Sequence, residues 1–188
     1  MSEAFMLEGR VVGLRAIERS DLEPLRQWRN QPDFRRYFRE YREISADMQL
    51  RWYETVVLGD SVRMFSIVER ATGRLLGACG LCYLDLVNRS ADFSIYLGAD
   101  ELYIDDVFAP DAAGPLLAYG FDELGLHRIW AEIYDFDHKK AEFFDRLGFR
   151  LDGRHRQAHW ADGHWHDSLF YGLLAPDYYM RKAAKAAE

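Results

Sequence analysis

The sequence predicts a single α/β domain whose elements follow the order β-α-α-β-β-β-α-β-α-β-β. Three observations carry this expectation. Apolar periodicity switches between two residues and about 3.6 along the chain. A central run of three strands is joined by tight turns, as an antiparallel meander requires. The 188 residues contain no internal repeat, low-complexity tract or interior linker, which suits one domain with one sizeable core. The domain is placed at residues 1–180, and 181–188, RKAAKAAE, is read as a tail of frayed helix.

The opening VVGLRAI alternates as a strand does. In ERSDLEPLRQWRN, Ser20 or Asp21 can cap a helix on which Leu22, Leu25 and Trp28 or Arg29 recur at helical spacing. Gln31 to Ile44 is rich in arginine and aromatics and separates this helix from a second one, which Ser45 caps and on which Met48, Trp52 and Val56 share a face. After Gly59-Asp60 come VRMFSIVER, a turn at Ala71-Thr72-Gly73, RLLGACGLCYLDL, a turn at Asn88-Arg89, and SADFSIYLG. Helical spacing returns in PLLAYGFDELG, with Gly125 just past its end, and HRIWAEIYDF is the next strand. Asp137 caps HKKAEFFDRLG, where Ala141, Phe144 and Leu147 mark the apolar face and Gly148 the stop. A hairpin of RHRQAHW and HWHDSLFYGLL around Ala161-Asp162-Gly163 closes the domain.

Apolar residues at 49% and charged residues at 29% fit a soluble globular protein. The 15% aromatic share supplies rings for a ligand cleft as well as for a core. A formal net charge of −7 repels polyanions and argues against a nucleic-acid partner. No apolar run reaches the roughly 20 residues that span a bilayer, and MSEAFMLEGR lacks the features of a secretory signal, so no membrane partner and a cytoplasmic location are expected. Cys79 and Cys82 have C-x-x-C spacing, but residues three apart on a strand point to opposite faces, so the thiols do not meet. His159, His164 and His166 with Asp162 and Asp167 flank the last turn and read as a polar hairpin, not a metal site. No metal is expected.

The stretch YGFDELGLHRIWAEIYDFDHKKAEFFDRLGFRLDGRHR carries F-x-E-L-G-L-H-R-I and L-G-F-x-x-x-G segments. In these, and in its order of elements, the chain resembles the GNAT acyltransferase superfamily. Asp162, Gly163 and Asp167 form a D-G-x-x-x-D pattern that resembles the ribosomal-protein acetyltransferase branch. Trp28-Arg29-Asn30, Arg35, Ile44, Arg51-Trp52 and NRSADFSIYLG are similar to the nucleotide-linked amino-sugar N-acetyltransferases of pseudaminic acid synthesis.

The resemblance implies a mixed, mostly antiparallel sheet with helices on both faces. It also implies fourth and fifth strands that splay at Ser94 to Leu97 and Ala131 to Tyr134. The implied activity is transfer of an acetyl group from acetyl-CoA, the co-substrate, to the primary amine of a small acceptor, with a nucleotide-linked amino sugar as the finer expectation. Free backbone on the fourth strand, at Ile95, Tyr96 and Leu97, would align the thioester beside the amine. Glu132 would take the proton an amine must lose to become a nucleophile. Phe38, Arg39, Trp52 and Tyr134 are the expected substrate contacts, and the last hairpin would border the acceptor. Oligomeric state stays open, a homodimer included.

Two departures from the family pattern stand out. The tyrosine that protonates the leaving thiolate falls at Phe144, which has no proton to give. The glycine-rich loop whose amides hold the diphosphate of coenzyme A is replaced by ADELYIDDVFAPDAAGPLL, with Asp105 and Asp106 where phosphates would sit. In one reading Phe108, Ala109, Ala112 and Ala113 still lead into the helix and hold the donor, helped by Asp137, Phe144 and a phosphate contact from His138, Lys139 or Lys140. In the alternative, the chain is a non-catalytic or donor-switched member that binds a ligand or a protein.

Overall fold

A computed structural model describes residues 5–187. Its centre is one eight-stranded sheet of spatial order β1-β2-β3-β4-β5-β6-β8-β7. The strands are β1 (Leu7–Glu8), β2 (Val12–Ala16), β3 (Arg63–Glu69), β4 (Leu75–Asp85), β5 (Ser90–Leu97), β6 (Arg128–Tyr134), β7 (Arg150–Ala161) and β8 (His164–Leu174). All neighbours are antiparallel except β5 and β6. The meander of β3 to β5 is as the alternation predicts and the mixed sheet is as the resemblance implies, with the two-residue β1 as an added edge.

Helices flank both faces: α1 (Leu22–Asn30), α2 (Pro32–Arg35), α3 (Ala46–Trp52), α4 (Phe108–Ala118), α5 (His138–Leu147) and α6 (Ala175–Ala186). Ser45 caps α3 by accepting the Met48 amide proton at 3.2 Å. Asp137 caps α5 the same way at Lys140, also at 3.2 Å, and Gly148 ends it at φ 93°, a left-handed turn that glycine adopts without strain. Among the described residues, no helix is long and apolar enough to cross a membrane.

Three elements differ from the sequence reading. Residues Pro32–Arg35 of the arginine-rich segment form a short helix, with proline in its first turn where the missing N–H costs nothing. Helix α4 begins at Phe108 and leaves Pro115 in its interior. The helix expected to fray after Met180 starts at Ala175 and is docked, because Arg181 donates to the Arg146 carbonyl at 2.9 Å and Lys182 pairs with Asp122 at 2.5 Å.

The buried side chains of α4, Ala109, Ala112, Ala113 and Leu116, join one core with Leu14, Ile67, Leu76 and Leu97 of the sheet. Phe143 and Phe144 of α5 form an aromatic cluster with Phe93, Phe149 and Tyr171. Pairing between β5 and β6 stops after Ser90, Ala91 and Asp92 opposite Arg128, Ile129 and Trp130. Beyond that point the two strands part, at the residues where the splay is expected. The gap between them positions the site.

Candidate active site

Because side chains alternate along a strand, Ala78 and Cys82 on β4 share a face with Asp92, Ser94 and Tyr96 on β5 and with Glu132 and Tyr134 on β6. This face floors a cavity of about 540 Å³, roofed by Phe38, Arg39, Met48, Trp52 and Val56. Phe93 and Ile95, which point the other way, also line it together with Lys140 and Phe144 of α5. The cavity therefore runs through the gap between β5 and β6. Its size falls in the range of small-molecule sites.

At the closed end of the gap, Arg39 ties two carboxylates together. Its Nε donates to Glu132 Oε2 at 2.8 Å and its Nη1 to Asp92 Oδ2 at 3.0 Å. The guanidinium also lies over the rings of Tyr83 and Trp130, 5.6 and 5.9 Å from their centroids. Ser168 donates to the second oxygen of Glu132. Burial works against the charge of Arg39, but Asp92 and Glu132 outweigh it and hold its pKa above the ordinary value. Burial also lifts Asp92 above the usual carboxylate range, with Arg39 pulling the other way.

The opposite wall carries Arg29, whose guanidinium sits 4.9 Å over the Phe38 ring and whose buried Nε has no hydrogen-bond partner. Burial raises the Tyr96 and Tyr134 phenols to about 12, so both stay protonated across the physiological range. His159 stacks on Tyr134 at 3.5 Å, and Arg36 pairs with Asp162 at 2.8 Å, which brings the last hairpin against this wall. His166 pairs with Asp135 at 2.9 Å, and His164 contacts the Asp162 carbonyl.

The outer end of the gap is filled by the chain itself. The Leu97 amide donates to the Tyr103 carbonyl at 2.8 Å. The buried Tyr103 ring stacks on Tyr37 at 4.3 Å, and its hydroxyl donates to Asp137 Oδ2 at 2.5 Å. Asp105 accepts from the amides of Phe108 and Ala109 at 3.1 and 2.8 Å, so a carboxylate occupies the anion seat at the start of α4. Asp106 is exposed and pairs with Arg146 at 2.6 Å.

The structure brings Phe38, Arg39, Trp52, Ile95, Tyr96, Glu132, Tyr134, Lys140 and Phe144 to one cavity. It does not bring the others there. Ala109, Ala112 and Ala113 are sealed in α4 against the sheet, Leu97 is buried with its amide used, Phe108 packs on the core, and Asp137 holds Tyr103. The loop expected around residues 108–113 is helix, because Asp105 satisfies its first amides and alanines favour it. Asp92, Tyr83, Trp130, Ser168 and Tyr103 were not singled out in the sequence, and Arg29 entered only as a helix residue and as part of the branch resemblance. A signal existed for Asp92, the one charged residue of a strand that is otherwise neutral.

The thioester end of acetyl-CoA fits this geometry: the β5 edge from Phe93 to Tyr96 is unpaired toward β6 and lines the cavity. At the start of α4, where the resemblance puts the diphosphate, the first amides are taken by the Asp105 carboxylate.

The family model described as "Acetyltransferase (GNAT) domain" matches residues 12–150. The uncharacterized N-acetyltransferase p20 of Bacillus licheniformis is 27% identical over 168 residues, covering 88% of this chain and 93% of that one. The spermidine N(1)-acetyltransferase of Vibrio cholerae is 26% identical over 168 residues, covering 89% and 95%. The crystal structure of spermidine N-acetyltransferase from Vibrio cholerae in complex with CoA and spermine superposes with a TM-score of 0.81 at 25% identity, over 89% of this chain and 98% of that one. These relatives correct the branch expected from the sequence: the similarity that spans most of the chain runs to spermidine acetyltransferases, not to the pseudaminic acid enzymes or to the ribosomal-protein branch. Of the latter, the "Putative ribosomal N-acetyltransferase YdaF" of Bacillus subtilis matches over 54% of the chain. The D-G-x-x-x-D pattern misled because Asp162 and Gly163 serve the turn, at φ 50° and 77°, and report its geometry and not a substrate.

Proposed function

Since the chain belongs to the GNAT acetyltransferase family and moves an acetyl group from acetyl-CoA to the amine of a small molecule, we propose that its acceptor is a polyamine of the spermidine type. The carrying observation is the pair Asp92 and Glu132, held at the floor of the cavity by a cation lying beside two aromatic rings. That is the surrounding a substrate ammonium requires: carboxylates for its charge and ring faces for its desolvated surface. Phe38, Met48, Trp52 and Val56 offer an apolar wall for the methylene segments between nitrogens.

In this reading the β5 edge from Phe93 to Tyr96 aligns the thioester across the gap from the amine. Glu132, oriented by Ser168, accepts the proton that the attacking nitrogen sheds. Backbone positioning and proton removal are the chain's two contributions to the attack. The relatives named for spermidine support the acceptor class.

A second reading rests on Arg29, a guanidinium on the cavity wall without a carboxylate partner among the described residues. It favours an amine that also carries a carboxylate or phosphate, which arginine binds in bidentate fashion. Release of coenzyme A thiol, measured with spermidine, putrescine, lysine and glucosamine 6-phosphate as acceptors, separates the two. Spermidine as the best acceptor by kcat/KM supports the first reading. Preference for an anionic amine, lost in Arg29→Met, replaces it with the second.

A further inference from the structure

Phe144 stands where the family's proton donor to the leaving thiolate is expected, and phenylalanine has no proton to give. The cavity nevertheless holds a donor beside it. Lys140 lies four residues earlier on α5, so the two side chains share a helix face one turn apart, and both line the gap between β5 and β6. Long side chains on a helix lean toward its N-terminus. A hydroxyl carried from position 144 would therefore hang over the turn that bears Lys140, whose side chain lines the same cavity.

Lys140 is not spent on a carboxylate. Its Nζ lies 4.9 Å over the Tyr103 ring and makes no ion pair or hydrogen bond among the described residues. The neighbouring His138 and Lys139 are exposed at the start of α5, whereas Lys140 is turned inward. A lysine kept to hold phosphates would face the surface with them. Asp92 on β5, Glu132 on β6, Asp137 at the cap of α5, Arg39 from the segment after α2, and the Tyr37 and Tyr103 rings are the charged and titratable groups around it.

We propose that Lys140 is a catalytic residue that protonates the coenzyme A thiolate as the carbon–sulfur bond breaks. The amine nitrogen forms a bond to the thioester carbonyl carbon, the C–S electron pair moves onto sulfur, and an Nζ proton follows it to give the thiol. Lys140 is left neutral and recovers a proton from solvent, to which Glu132 returns the proton taken from the amine. The net change is amine plus thioester to amide plus thiol. This step rests on acetyl transfer and not on which amine is used. Burial lowers the Lys140 pKa from its ordinary 10.5, against the pull of Asp137 and Asp92, which brings the ammonium nearer to a thiol in acidity and makes the transfer more facile.

The test compares wild type, Lys140→Met and Lys140→Arg with acetyl-CoA, using spermidine and, separately, n-butylamine at saturation, so that the ratio of variant to wild type does not depend on the acceptor. Lysine to methionine should lower kcat by about a hundredfold with little change in KM for acetyl-CoA. Arginine, which keeps the charge but is too weak an acid to yield it, should not restore the rate. Wild-type kcat should fall on the basic side as Lys140 deprotonates, below the range of the buried Tyr96 and Tyr134 phenols, and this limb should vanish in Lys140→Met. Rescue by Lys140→Arg, a loss confined to KM for acetyl-CoA, or a basic limb that survives in Lys140→Met would each overturn the assignment.

Discussion

Replacing Arg39 by methionine tests whether Asp92 and Glu132 are the seat of a substrate cation. In the native protein the guanidinium bonds both carboxylates, at 3.0 and 2.8 Å. The Asp92 side chain is only 8% exposed, so removing its partner leaves a buried charge without support. Breaking a fully buried pair costs about 3–5 kcal/mol. Arg39 is itself 42% exposed, and solvent screening reduces this to about 1–3 kcal/mol, or a fall in Tm of roughly 2–12 °C for a chain of this size. Asp92 already has a raised pKa, chiefly through burial, so the native state binds more protons there than the unfolded chain does and stability falls as pH rises through that window. The deficit of the variant should therefore shrink on acidification, as protonation removes the stranded charge. The decisive reading is differential scanning fluorimetry with spermidine. If a substrate ammonium takes the place of the guanidinium, the variant should gain more in Tm from a given spermidine concentration than wild type does, because no internal cation competes. Equal or smaller gains in Arg39→Met would refute the placement of the acceptor amine at these carboxylates.

Glu132→Gln keeps the shape and the Ser168 contact but cannot accept a proton, and kcat/KM should drop roughly a hundredfold; activity within threefold of wild type would exclude Glu132 as the base. Asp105→Ser retains a cap for α4 while removing its charge, so KM for acetyl-CoA should fall about two- to fivefold, and an unchanged or higher KM would show that the donor diphosphate lies elsewhere. Buried Asp21 accepts from Arg15 at 2.6 and 3.0 Å, from Ser66 at 2.7 Å and from the Glu18 amide at 2.9 Å, so Asp21→Asn should cost about 3 kcal/mol in urea unfolding. Although burial opposes its charge, these bonds hold the Asp21 pKa below 3.8, and its contribution, present above that pH, should disappear as acid carries the protein through the lowered value; in Asp21→Asn this part of the acid sensitivity should be missing.

The fold was legible wherever one residue decided a boundary: Ser45 and Asp137 cap helices, Gly148 ends one, and Gly73 turns a hairpin at φ 73°. Alternation located β3 to β6, and the resemblance placed the splay between two of them. The start of α4 was hidden because Pro115 reads as a first-turn residue. In the fold it sits in the middle of the helix, where it cannot bond to the Asp111 carbonyl, and the Asp111 side chain is turned back onto the amides of Arg10, Val11 and Val12. Glu132, Phe38 and Trp52 were singled out through the family resemblance, and the structure brings them to one cavity. The partnership of Arg39 with Asp92 and Glu132 was not legible, because it joins residues 53 and 93 positions apart and depends on how the segment after α2 folds over the sheet.

The two ends of the cleft share one arrangement. At the acceptor end a guanidinium of the chain occupies a place suited to a substrate ammonium, and at the donor end a carboxylate of the chain occupies a helix N-terminus suited to a phosphate. Each seat is already satisfied by a side chain carrying the charge of the group it would receive, so a ligand gains only the difference between its own contacts and those it displaces. Such a site should bind both substrates weakly, with its selectivity set by a second charge or an apolar segment that the internal side chain does not provide. Because Arg39 and Asp105 share no contact, their effects should be independent. In the double variant Arg39→Met with Asp105→Ser, the KM for spermidine and that for acetyl-CoA should each fall by the factor seen in the corresponding single variant. A combined effect smaller than the product would mean that one side chain controls both seats, and the two ends of the cleft would then have to be treated as a single conformational unit.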